Sequence, residues 1–149
     1  MVNRTLFSVA LLIAAGTVAL LGSSANAEEP TPIALTNEMQ DKISGSLWEG
    51  DWYDTGNGVG GPAGLYLIIG YGRADAGLRI YEAASGDHTY RATGKVKGNT
   101  MELVSRSKNT VSLSLYKEKG KLVLKGEYEV MSGEYSGNTG TYYFVKRAE

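Results

Sequence analysis

Leu47-Trp48-Glu49-Gly50-Asp51-Trp52-Tyr53 holds both tryptophans of the chain. Alternate residues of a strand share a face, so Trp48, Gly50 and Trp52 line one side while Glu49 and Asp51 line the other. Two large aromatics separated by a glycine stand where a β-barrel would begin to close.

The period of two continues from here to the C-terminus. Leu65, Leu67 and Ile69 alternate with Tyr66 and Ile68 in a strand over 64–71 that is apolar on both faces, which reads as a covered strand. Strands over 78–83 and 89–97 follow, the second with Tyr90, Ala92, Gly94 and Val96 on one face. Further strands cover 100–106, 110–117, 122–130 and 141–146. Their apolar faces are Val111, Leu113 and Leu115, then Leu122, Leu124, Gly126, Tyr128 and Val130, and finally Tyr142 and Phe144. Short turns such as Lys97-Gly98-Asn99 and Lys119-Gly120 join them. About eight strands with one apolar face form an antiparallel meander, and eight can close into an up-and-down barrel with no free edge. A two-sheet sandwich is the alternative, but turns this short count against its crossovers.

The chain ahead of Leu47 reads as two pieces. Arg4, an almost unbroken apolar run from Leu6 to Leu21, and Ala25-Asn26-Ala27 make residues 1–27 a signal peptide. The apolar run is shorter than the roughly 20 residues that span a bilayer. Export to the periplasm or the extracellular space is the expectation. Residues 28–46 read as an N-terminal arm. Pro30 and Pro32 keep its start extended, and Thr36-Asn37 caps a helical turn that Gly45 ends. Ile33, Leu35, Met39 and Ile43 are placed to dock the arm on the barrel and plug one end. Residues 47–149 then form the barrel domain.

Composition narrows the function. Without residues 1–27 the chain keeps 14 basic and 16 acidic side chains. A near-neutral, mixed surface argues against nucleic acid, which calls for a basic stripe. No cysteine is present, so neither disulfides nor thiol chemistry is available.

Gly50-Asp51-Trp52-Tyr53 resembles the G-x-W-Y opening of the first barrel strand in the calycin group, the lipocalins and avidins. That resemblance implies a tryptophan packed across one barrel end under a basic residue of the last strand. Gly50 and Trp52 would close the barrel here, with Lys146 or Arg147 giving the cation–π contact. No tryptophan follows Trp52, so the aromatic cage that avidins close around biotin is missing and biotin is not the expected ligand. The chain is also similar in size and plan to small bacterial barrels that inhibit secreted metalloproteases by inserting an N-terminal arm, although those typically carry a disulfide.

No catalytic constellation emerges. Gly56-Asn57-Gly58-Val59-Gly60-Gly61 satisfies G-x-G-x-x-G, but a strand follows it instead of a helix, and it reads as a loop over the barrel mouth. His88, the only histidine, cannot build a multi-histidine metal site, and beside Asp87 it reads as an exposed turn residue. Glu49 and Asp51 face solvent on the outer wall, while Asp54 shares the tryptophan face near the strand end. Ten tyrosines against two phenylalanines suit a pocket for a semi-polar ligand, a protein-binding surface, or barrel rims that are buried at one side and wet at the other. Gly94 and Gly126 leave either room for a cavity or freedom for sharp strand curvature.

The expected function is non-catalytic binding of a small, partly apolar ligand inside a lipocalin-like barrel, without a cofactor or a metal. Tyr90, Leu113, Leu124, Tyr128 and Phe144 would contact it, with 56–64 as portal. The alternative is a protein-interaction module, such as an inhibitor of an exported protease acting through the arm. Trp48, outside the barrel plug and near the arm, is the expected partner-binding tryptophan.

Overall fold

A computed structural model describes residues 29–84 and 86–149. The expected signal peptide, 1–27, lies outside the described residues. Eight strands form the wall: β2 (Ser46–Asp54), β3 (Val59–Gly70), β4 (Arg73–Ala83), β5 (Gly86–Lys97), β6 (Thr100–Ser105), β7 (Thr110–Glu118), β8 (Lys121–Glu129) and β9 (Thr139–Lys146). Each pairs antiparallel with the next, and β9 returns to pair with β2 through Trp48↔Lys146 to Asp54↔Gly140, closing the barrel. The meander expected from the period of two is therefore the fold. A two-residue strand, β1 (Thr31–Pro32), adds to β7, and one helix, α1 (Asn37–Ile43), follows it.

The turns follow from local chemistry. Tyr71-Gly72 and Lys119-Gly120 each link two strands with positive φ at both residues, the twist that matches antiparallel partners in a tight hairpin. Strand β3 starts earlier than the sequence indicated. Val59, Gly60, Gly61 and Pro62 pair with Asp54, Tyr53, Trp52 and Asp51, so the expected 56–64 portal loop is only a short turn over residues 55–58 followed by strand. The glycines serve close packing. A Cβ on Gly61 would come within 2.8 Å of the Tyr81 carbonyl and 3.0 Å of Trp52 Nε1. Its absence lets the indole cross the strand and donate to that carbonyl at 2.8 Å.

Alternation decides burial. Leu65, Leu67, Ile69, Val111, Leu113, Leu115, Leu124 and Phe144 are all buried. Tyr66 and Ile68 on the other face of β3 stay nearly half exposed, so β3 is not the doubly covered strand its composition indicated. Gly94 and Gly126 stand where neighbouring strands approach closely. A Cβ at either would overlap the backbone of the neighbouring strand, at Glu102 and Ser112 respectively. These glycines let strands approach each other, and they do not empty the interior. Gly50 does the same between β2 and β9, against Tyr143.

The arm is seated on the barrel. Thr36 caps α1, its hydroxyl accepting from Met39 N at 3.2 Å. A seven-residue helix is too short to be stable by itself, and its support is tertiary. Ile43 and Leu35 are buried, with Ile33 and Met39 packed against the same core. Buried Gln40 donates to the Leu35 carbonyl at 2.8 Å and accepts from Gly72 N, in the β3–β4 turn, at 3.0 Å. Ile33 N donates to Leu115 O at 3.0 Å, and Leu35 N to Gly98 O at 2.9 Å. The arm is thereby tied to three neighbouring hairpins at one end of the barrel. Ile43→Ala is expected to cost about 2–5 kcal/mol in equilibrium urea unfolding, with half-buried Met39→Ala costing clearly less. Equal, small losses would show that the helix is not a plug.

Candidate functional site

The two tryptophans lie toward opposite ends of the barrel, and both are buried. Trp48 is 1% exposed and Trp52 is 7% exposed. Trp48 lies at the arm end, where its Nε1 donates to Ser46 Oγ at 2.7 Å and Ser46 in turn donates to the Ile43 carbonyl. It therefore offers no surface to a partner, and the expectation of a partner-binding Trp48 is corrected. The reason is that the arm covers the end that looked open. Trp52, read as the floor plug, instead reaches toward the opposite end and forms part of a cavity wall.

Arg147 is corrected as well. Counting outward from buried Phe144, position 147 falls on the outer face. Its Nε meets Glu49 Oε1 at 3.3 Å between exposed side chains, a pair worth about 0–1 kcal/mol. Among the described residues the cations over aromatic rings are Arg79 on Tyr81 and Lys125 on Tyr116 and Tyr143. The expected cap of Lys146 or Arg147 on Trp52 is not formed.

At the mouth, away from the arm, lies a cavity of about 320 Å³. Trp52, Ile80, Ala83, Tyr90, Tyr128 and Val130 give it a largely apolar wall, and Asp54, Asn57, Asn109 and Asn138 supply polar atoms. Of the five expected ligand contacts, Tyr90 and Tyr128 line it. Leu113, Leu124 and Phe144 are fully buried in the packed core beneath. His88, exposed as expected, lies in β5 opposite Ile80 of β4 and joins the cavity wall, so it belongs to a strand and not to the turn expected for it. Larger depressions lie elsewhere, one of about 720 Å³ bordered by exposed Thr93, Lys95, Glu102 and Ser112. That lining is mostly outward-facing strand surface, with Tyr128 as its one aromatic side chain.

The rim is built from turn chemistry that the periodicity did not reveal. Asp54, buried on the tryptophan face as expected, accepts from Gly56 N at 2.9 Å and Asn57 N at 3.0 Å. Its other oxygen accepts from the side-chain amides of Asn57 at 3.3 Å and Asn138 at 3.2 Å. One carboxylate thus ties the β2–β3 turn to the β8–β9 loop. Asn109 ties the β6–β7 turn to the same loop by accepting from Met131 N at 2.9 Å. The signal in the sequence is Asp and Asn at strand ends, where they commonly bond nearby backbone N–H groups.

Below the rim, three tyrosines meet. The hydroxyls of Tyr90 and Tyr142 are 2.6 Å apart, and the rings of Tyr128 and Tyr142 lie 4.9 Å apart and tilted. Tyr142 continues at 5.3 Å onto Phe144 in the core. Gly140 lets Tyr128 lie over β9, since a Cβ there would overlap its phenol. Burial pushes Tyr90 up to about 12, with the Tyr142 hydrogen bond opposing. Tyr128 is also raised to about 12, by burial first and then by the negative charge of Asp54. Burial holds Tyr142 well above the ordinary range, helped by Tyr90. The cluster therefore stays neutral and protonated in ordinary buffers. Among the described residues, no group of three or more His, Cys, Asp or Glu is placed to hold a metal ion.

Neither protein-family models nor curated proteins give a match to this chain.

A tyrosine whose pKa is raised by folding favours the fold while it is protonated. Its contribution is complete below about pH 10, the value for a free tyrosine, and is lost as pH rises through about 12. Phenolate absorbance is expected to show exposed tyrosines titrating first and this cluster last, together with unfolding. In Tyr90→Phe the late step should shrink. Titration of all ten tyrosines in one early step would contradict the buried cluster.

Proposed function

We propose that this chain is an exported, non-catalytic binding protein of the calycin type, which holds a small, partly apolar ligand at the mouth of its barrel. The observation that carries the reading is the cavity of about 320 Å³ walled by Trp52, Ile80, Ala83, Tyr90 and Tyr128, above a core that includes the buried Leu113, Leu124 and Phe144. Small-molecule sites are concave and mainly apolar, with a few fixed polar groups, and this one lies near the small end of that range. Ligand binding would be driven by removing apolar surface from water, worth about 25 cal/mol per Å² before the costs of association.

The contact set follows the geometry. Tyr90 and Tyr128 remain from the sequence reading, Trp52 joins them, and Leu113, Leu124 and Phe144 support the cavity from below. The alternative, an inhibitor acting through its arm, draws less support. Leu35, Gln40 and Ile43 are buried in the barrel end, so those side chains are not available to a protease cleft.

A neutral environment-sensitive dye, N-phenyl-1-naphthylamine, provides the test. Its fluorescence is expected to rise on binding while Trp52 emission falls. Ala83→Trp, which fills the cavity, should weaken binding at least tenfold, whereas Tyr66→Ala on the outer wall should leave it unchanged. Dye binding indifferent to Ala83→Trp would remove the mouth as the site.

A further inference from the structure

Tyr90 and Tyr142 share one hydrogen bond between their hydroxyls. Two phenols carry two hydroxyl hydrogens, and a single bond between them uses one. Burial decides which hydrogen is left. Tyr142 is 2% exposed and does not line the mouth cavity, and Tyr90 is its one hydroxyl partner among the described residues. If Tyr90 donated, the hydrogen of Tyr142 would be buried without an acceptor, which is costly. If Tyr142 donates, both groups are served, because Tyr90 stands in the cavity wall.

We infer that Tyr142 donates to Tyr90, that Tyr90 points its own O–H into the cavity as a fixed donor, and that the ligand is therefore a neutral, apolar-bodied compound bearing a carbonyl-type acceptor. This rests on the mouth being the ligand site and adds the ligand's chemistry. The charges in the wall support neutrality. Asp54 is its one carboxylate, the exposed His88 is its one imidazole, and neither lysine nor arginine contributes to it. An anionic ligand would be desolvated beside Asp54 with no lysine or arginine to pair with. A cation would face the hydrogen of Tyr90, and Asp54 already accepts four N–H bonds. Donation from Tyr142 also polarises Tyr90, since hydrogen bonds in a chain strengthen one another. Burial keeps both phenols protonated, so the donor persists throughout the neutral range.

Three probes of one shape test this: methyl naphthyl ketone, isopropylnaphthalene and naphthoate, each titrated into isotope-labelled protein and followed by the amide shifts of Trp52, Tyr90 and Tyr128. The ketone is expected to bind about five- to tenfold more tightly than the hydrocarbon, the usual worth of one added hydrogen bond, with naphthoate weakest. Tyr90→Phe should lower the ketone to the hydrocarbon's affinity, and Tyr142→Phe should keep a reduced preference for the ketone. Should Tyr90→Phe fail to fold, the comparison of the three probes on the unaltered protein decides alone. Equal binding of ketone and hydrocarbon at the mouth would overturn the inferred donor while leaving the site intact. Tightest binding by naphthoate would overturn neutrality. No shift at the mouth with any probe would overturn the site itself, and this inference with it.

Discussion

The interior of an eight-stranded barrel is about as wide as the side chains that point into it, and this chain divides that limited space between a packed floor and a hollow mouth. The division begins on β2. Trp48 and Trp52 lie on one face of the strand, four residues apart, so one indole points into each part. Trp48 shares one buried core cluster with Ile43, Leu67, Met101, Leu115 and Phe144. Around Trp52 the wall thins to Ala83 and Ile80 and opens between Tyr90 and Tyr128. The arm makes the difference between the two ends, since α1 enters one and nothing comparable enters the other among the described residues.

Polar atoms inside the barrel follow the same division. At the floor, Trp48, Ser46 and Gln40 pass their hydrogen bonds to backbone carbonyls and one turn amide. Trp48 donates to the Ser46 hydroxyl and the other bonds end on backbone groups, so none is directed at a ligand. At the mouth, Asp54 gathers N–H donors from two loops and Trp52 donates to Tyr81. The Tyr90–Tyr142 pair carries one hydrogen more than it uses. A buried polar group without a partner is rare in native proteins. The surplus donor is tolerable here because it faces a cavity and not packed core.

Much of this was legible in the sequence. Alternation placed Val111, Leu113, Leu115, Leu124 and Phe144 inside correctly, because one residue of slip in a strand would invert every side chain. The cap at Thr36 and the apolar residues of the arm also placed the plug. What stayed hidden depends on contacts between distant parts of the chain. Trp48 looked free because nothing in its neighbourhood announces that Ile43 and Ser46 will cover it. Gly60 and Gly61 looked like loop because close approach of Trp52 and Tyr81 is invisible in a linear reading. Leu113, Leu124 and Phe144 looked like ligand contacts because alternation separates inside from outside, and not floor from mouth.

The central claim is that one end of the barrel is sealed and the other receives ligand. Fluorotryptophan incorporated at both positions, with each ¹⁹F signal assigned by a Trp48→Phe or Trp52→Phe variant, tests it most directly. On addition of N-phenyl-1-naphthylamine, the expected result is a saturable shift of the Trp52 signal with the Trp48 signal unmoved. A Trp48 signal that shifts as much as Trp52, or alone, would contradict a sealed floor and an open mouth.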